Sequence, residues 1–308
     1  MKIDGLSGPT RFAAFVGGLA VVFAAALGVG NAVGPVADEP AGHDEMTDDM
    51  TGDMADGHSD EGGHGGHAES AAQLPGGLMV SQDGYTLELA EDALRPGRGV
   101  PLSFTVTGPD GHPVTEYDVE HEKRLHLIAV RRDFSGFQHV HPELGPDGAW
   151  TTDLDLTPGE WRVFADFKPT DGEALTLGTD LTVAGDYRPA APVGEVRTAH
   201  VDGYTVTLEG TLTPGADSTL TLSVSRDGRP VTDLEPYLGA AGHLVALREG
   251  DLAYLHVHPE EEDQLVFAAA VPSPGGYRLF LDFKHDGVVR TAAFALVTDG
   301  TEVGHDDH

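Results

Sequence analysis

Phe137-Gln138-His139-Val140-His141-Pro142-Glu143 returns later in the chain as Tyr254-Leu255-His256-Val257-His258-Pro259-Glu260. Side chains alternate between the faces of a β-strand, so each H-x-H turns two imidazoles to one face, a chelating arrangement for a metal ion. A third histidine precedes each pair inside an apolar run: His126 in Arg124–Val130 and His243 in Gly242–Leu247. It stands 13 and 15 residues before the pair in both copies. Taken alone, H-x-H also describes tolerated polar residues at an exposed strand end. An imidazole within an apolar strand, however, requires partners for both ring nitrogens. The expected ligand sets are therefore His126, His139 and His141 in one copy and His243, His256 and His258 in the other. They should form two equivalent sites with nitrogens about 3 to 4 Å apart.

A second shared motif follows each set, Arg162-Val-Phe-Ala-Asp166-Phe-Lys168 and Arg278-Leu-Phe-Leu-Asp282-Phe-Lys284. In an extended strand Arg162, Phe164, Asp166 and Lys168 share a face, as do their counterparts. Asp166 and Asp282 are candidates for a fourth metal ligand, for an acceptor that fixes an imidazole tautomer, or for a cross-strand partner of arginine or lysine. Glu143 and Glu260, after the prolines, read as solvent-facing carboxylates, with a role as added oxygen ligands as the alternative. His121 has no histidine counterpart and reads as a loop residue.

The elements that must carry these residues are short alternating runs bounded by Gly, Pro and Asp, among them Tyr85–Leu89, Leu102–Val106, Trp150–Leu156, Trp161–Phe167 and Leu175–Val183. Their two-residue period and turn spacing predict strands of an all-β sandwich. The order then repeats: Gly84-Tyr85-Thr86 matches Gly203-Tyr204-Thr205, and Asp110–Thr115 matches Asp227–Thr232. The expected architecture is two tandem Ig-like or cupredoxin-like β-sandwich domains, 78–186 and 200–299, joined by a linker at 187–199 and followed by an acidic tail at 300–308.

The 308 residues carry 18 basic and 51 acidic side chains, a formal charge of -33, which disfavours nucleic acid and anionic surfaces as partners and favours cations. Cysteine is absent, excluding disulfides, thiolate nucleophiles and a His/His/Cys copper centre. Lys2 and Arg11 precede an uncharged run from Phe12 to Ala37. About 20 apolar residues cross a bilayer as a helix, so residues 1–37 are expected to be a signal anchor with both domains on the extracytoplasmic side of the cell membrane. Secretion after signal cleavage is the alternative. Residues 38–77 form an acidic linker. Its low-complexity part, Asp38 to Leu74, holds His43, His58, His64, His67, Met46, Met50 and Met54 and contains neither Lys nor Arg. It is expected to be disordered, and it reads either as a solvated spacer or as a loose metal-capturing chain.

Through its duplicated H-x-H-P element the chain resembles exported, membrane-anchored bacterial β-sandwich proteins of actinobacterial type that are associated with heavy metals. It is similar to copper-resistance and cupredoxin-like domains in architecture only. The resemblance implies an extracytoplasmic metal-binding protein holding copper or zinc, which sequesters the ion or delivers it to an envelope metal-transport or metal-accepting protein. The competing expectation is a non-metal module whose paired domains bind another envelope protein. There is no G-x-S-x-G, no H-E-x-x-H and no nucleophile paired with a base, so an enzyme is not expected.

Overall fold

The computed structural model describes residues 75–298 apart from His256. The expected anchor, the linker up to Leu74 and the acidic tail lie outside the described residues, as does His256. Among the described residues the regular elements are strands, arranged as two sandwiches.

In the first domain one sheet runs Ser81–Gln82, Tyr85–Leu89, Gly97–Thr107, Ala149–Leu156, Glu143–Leu144 from edge to edge. The facing sheet runs Ala93–Leu94, Leu175–Val183, Gly159–Phe167, Leu125–Arg131, Gln138–Val140. The second domain repeats the plan. One sheet runs Thr198–Val201, Tyr204–Glu209, Asp217–Arg226, Val266–Ala270, Val257–Pro259, and the other Tyr254–Leu255, Gly242–Arg248, Gly276–His285, Val288–Val297.

Alternation explains how the inner sheets are used. Leu125, Leu127 and Ala129, with Val163, Ala165 and Phe167, turn into the core of the first domain around Trp150 and Trp161. Leu244, Ala246, Leu279, Leu281 and Phe283 do the same in the second, around Tyr204, Phe267 and Phe294. The intervening residues do not face water. Ile128, Val130 and Phe164 pack against Val245, Leu247, Leu252, Tyr254 and Phe280, with Phe134 and Phe137 beside them, so a third apolar core joins the two domains. Burial on both faces is why Leu125–Arg131 and Gly242–Arg248 are near-continuous hydrophobic runs.

The contacts across this joint exchange equivalent residues. Phe137 stacks on Phe280 at 4.0 Å between ring centroids, and Tyr254, its counterpart in the repeat, packs on Phe164 at 5.7 Å. Equivalent positions trade places, as about a local two-fold axis. The lead-in to the first domain is clamped here too. Gly76 accepts a hydrogen bond from the Tyr254 amide, and the Arg162 guanidinium donates to the carbonyls of Gly77 and Leu78. A side chain at Gly178 would meet the Gly77 carbonyl oxygen at 2.0 Å, so only glycine lets this segment lie against the sheet.

Each H-x-H segment passes from one sheet of its sandwich to the other. Gln138–Val140 pairs with Leu125–Arg131 and Glu143–Leu144 with Ala149–Leu156, the crossing falling at His141-Pro142. Tyr254–Leu255 pairs with Gly242–Arg248 and Val257–Pro259 with Val266–Ala270.

Candidate metal centre

Register brings the histidines and aspartates together. His126 lies opposite Asp166 on the neighbouring strand, and His243 opposite Asp282, all four on the faces turned toward the other domain. His139 lies opposite Ile128 at the same edge.

His126 and His139 are held by different hydrogen bonds. His126 Nε2 is 3.2 Å from the Glu120 carbonyl oxygen, to which it donates. His139 Nδ1 is 2.8 Å from Asp282 Oδ2, in a pair whose side chains are 2% and 4% exposed. These partners place the ring protons away from the gap and leave His126 Nδ1 and His139 Nε2 facing each other at 3.1 Å. Two imidazole lone pairs at that distance require a cation between them, either a proton or a metal ion. The third member, His141, has a buried Nε2 with no hydrogen-bond partner. Donor atoms of His126, His139 and His141 all lie within 4.8 Å of one another, wider than the 3 to 4 Å of a prepared site, so closure on an ion requires a small inward shift.

The second domain contributes to the same place. The His243 ring lies 5.5 Å from those of His126 and His139, and both its nitrogens are buried without a hydrogen-bond partner. Asp282, which holds His139, also accepts from Thr291 Oγ1 at 2.5 Å. Among the described residues, His243 and Asp282 of the second domain thus stand beside His126, His139 and His141 of the first in one cluster, whereas the spacing led to the expectation of two separate sites; His256 of the expected second site lies outside the described residues. The reason is the apolar joint, which sets the two histidine-bearing faces against each other.

Asp166 accepts from Thr176 Oγ1 at 2.9 Å and from the Tyr254 hydroxyl, whose pKa burial and this carboxylate hold well above the usual tyrosine value. Arg162 and Lys168 pair with Asp180 and Asp118, and Arg278 and Lys284 with Glu249 and Glu235. His258 is exposed on Val257–Pro259 and lines an interdomain cleft of about 400 Å³ that reaches His126 and His243.

His121, set aside on sequence as a loop residue, lies in a loop that faces the cluster. Its ring is 4.9 Å from that of His243 and 6.1 Å from that of His126. His121 and Glu122 occupy the two central positions of a tight turn closed by Glu120 and Lys123, with φ of 47° and 65°. The repeat has the same turn at Leu238-Gly239, five residues before His243 as His121 is five before His126. Aligning turn with turn, rather than histidine with histidine, is the signal that would have found it.

Burial is the main cause that depresses the basicity of the cluster. Desolvation, reinforced by His139, lowers His126 from the ordinary 6.5 to about 4 and His141 to about 3, and it lowers His243 further. These three rings are neutral at pH 7, the form that binds metals.

Several solved structures are similar to this chain over about 70% of its length. The Escherichia coli adhesin FdeC is 18% identical, covering 71% of this chain and 65% of that one with a TM-score of 0.24. A Salmonella alpha-2-macroglobulin mutant is 17% identical over 72% of this chain and 15% of its own, with a TM-score of 0.26. A putative membrane anchored protein from Corynebacterium diphtheriae is 12% identical over 74% and 61%, with a TM-score of 0.22. No curated protein sequence matches the chain. The profile described as "Domain of unknown function (DUF8832)" matches residues 80–185 and again 199–300, and the chain therefore belongs to that family and carries its domain twice.

Proposed function

We propose that this protein binds a transition-metal ion, copper ahead of zinc, at a single site between its two domains, and that it does so outside the cytoplasmic membrane, anchored through Phe12 to Ala37. The observation that carries the reading is the pair of facing nitrogens, His126 Nδ1 and His139 Nε2, 3.1 Å apart, each ring oriented by a hydrogen bond on its far side. Metal-binding imidazoles are held in this way, with the second ring nitrogen bonded to a carbonyl or carboxylate. His141 and His243 supply further buried nitrogens that have no other partner. An imidazole-rich set suits Cu(II) and Zn(II), and the Irving–Williams order favours copper where both are present. The ion would be stored or handed to an envelope acceptor, as the H-x-H-P resemblance implies.

Competition titration of the full chain against a chelator, with Cu(II) and Zn(II), tests the site. His126→Ala/His139→Ala should lose one tight equivalent and keep only whatever the His- and Met-bearing segment before Leu74 contributes. Unchanged stoichiometry and affinity would overturn the reading. Recovery of protein beginning near Asp38 from the culture medium would replace anchorage with secretion.

A further inference from the structure

We propose that His121 is the entry ligand of this site: an ion entering the interdomain cleft is first held by His121 and His243, then passes to His126, His139 and His141. The proposal rests on the metal-binding reading above.

Two of the three inner donors are closed to bulk water, while His141 is half-buried and lines a second cavity. His126 is 5% exposed and the His139 side chain 2%, so an ion cannot reach them without first meeting the residues outside them. The cleft that leads inward is lined by His121, His243 and His126. Along it the rings stand in sequence, His121 to His243 at 4.9 Å and His243 to His126 and His139 at 5.5 Å. His243 differs from its two inner neighbours in that neither nitrogen is tied to a hydrogen-bond partner, so turning its ring breaks no bond. It can present a nitrogen outward to His121 or inward to the triad.

His121 is also held at some conformational cost. Two non-glycine residues with positive φ are unfavourable in a two-residue turn, and the repeat relieves this with Gly239. In the first domain the turn instead sets an imidazole over the cleft. Lys123, Arg124 and Lys168 share the lining with Glu120 and Asp166, so the cleft carries both signs of charge rather than a purely acidic surface. Hard ions such as Mg²⁺ and Ca²⁺, which need oxygen ligands, gain nothing from two imidazoles, whereas copper and zinc do.

Rapid-mixing kinetics of Cu(II) with the full chain, followed by release into excess chelator, separates this role from the alternatives. The phase that disappears in His126→Ala/His139→Ala reports the inner site, and if no phase disappears, both this proposal and the metal-binding reading fall. In His121→Asn, which tolerates positive φ and keeps the turn, a group acting only along the path should slow loading and release by the same factor, about tenfold, at unchanged Kd. Unchanged rates would overturn the proposal while leaving the site intact. A weakened Kd with faster release would overturn it as well, by making His121 a ligand of the bound state.

Discussion

His126 and His243 occupy the same position in the two copies of the domain and lie nearly parallel across the joint, 5.5 Å apart with an interplanar angle of 16°. Duplication has therefore put two equivalent imidazoles on opposite walls of one site. Their surroundings have diverged: His126 is fixed by the Glu120 carbonyl, while His243 has neither nitrogen bonded.

Replacing Asp282 separates orientation from ligation. Asp282→Asn leaves the metal donors in place but removes the charged acceptor of His139 Nδ1. Stability should fall by roughly 1.5–3 kcal/mol, the worth of a hydrogen bond to a charged group, as read by urea denaturation. Metal affinity should drop by about 10- to 100-fold without loss of stoichiometry. An Asp282→Asn variant with wild-type affinity would detach the carboxylate from the site.

Acid should destabilise the metal-free protein in a defined window. The folded-state pKa values of His126 and His141, about 4 and 3, lie below the unfolded value near 6.5, so the unfolded chain takes up more protons. Their contribution to stability is complete above pH 6.5 and is lost as pH falls from there toward 4. Denaturation midpoints measured from pH 7.5 to 4.5 should decline along this course. The decline should be shallower in His126→Gln, which cannot take up the proton.

Bound metal should stabilise both domains together, because the proposed ligands come from both. At free metal about one hundred times Kd the gain is about 2.7 kcal/mol. For a unit of this size that raises Tm by about 5–10 °C. Calorimetry with Zn(II) should show one transition moving upward. Two transitions, with only one of them shifting, would place the ligands in a single domain.

Truncating Phe280 tests the joint without touching a metal donor. Its ring stacks on Phe137 at 4.0 Å with an interplanar angle of 5° and is 4% exposed. Phe280→Ala should cost about 3–5 kcal/mol, the usual range for a buried phenylalanine. It should also loosen the metal site, since the joint aligns His243 with the triad. Domain-specific probes should then report unfolding at different denaturant concentrations.

The strand pattern, the duplication and the kinds of residue in the site were legible in the sequence, because they follow from local rules. Alternation of apolar and polar residues fixes a strand face, turn residues fix the breaks, and a constant interval between His126 and the His139/His141 pair fixes which residues travel together. The same alternation placed Asp166 and Asp282 on one face with Phe164 and Phe280. What that face meets depends on long-range packing. A strand buried on both sides, such as Leu125–Arg131, can lie within one sandwich or between two, and only the tertiary structure decides that its second face packs on the other domain. That choice set His243 beside the histidines of the first domain, brought Asp282 to His139, and placed Thr176 and the Tyr254 hydroxyl against Asp166. It also gave His121 its place at the cleft, since a turn closed by hydrogen bonds between Glu120 and Lys123 carries no sign in its own sequence of what will stand opposite it. Local chemistry determined the donors; the burial of two apolar sheet faces against each other determined which donors meet.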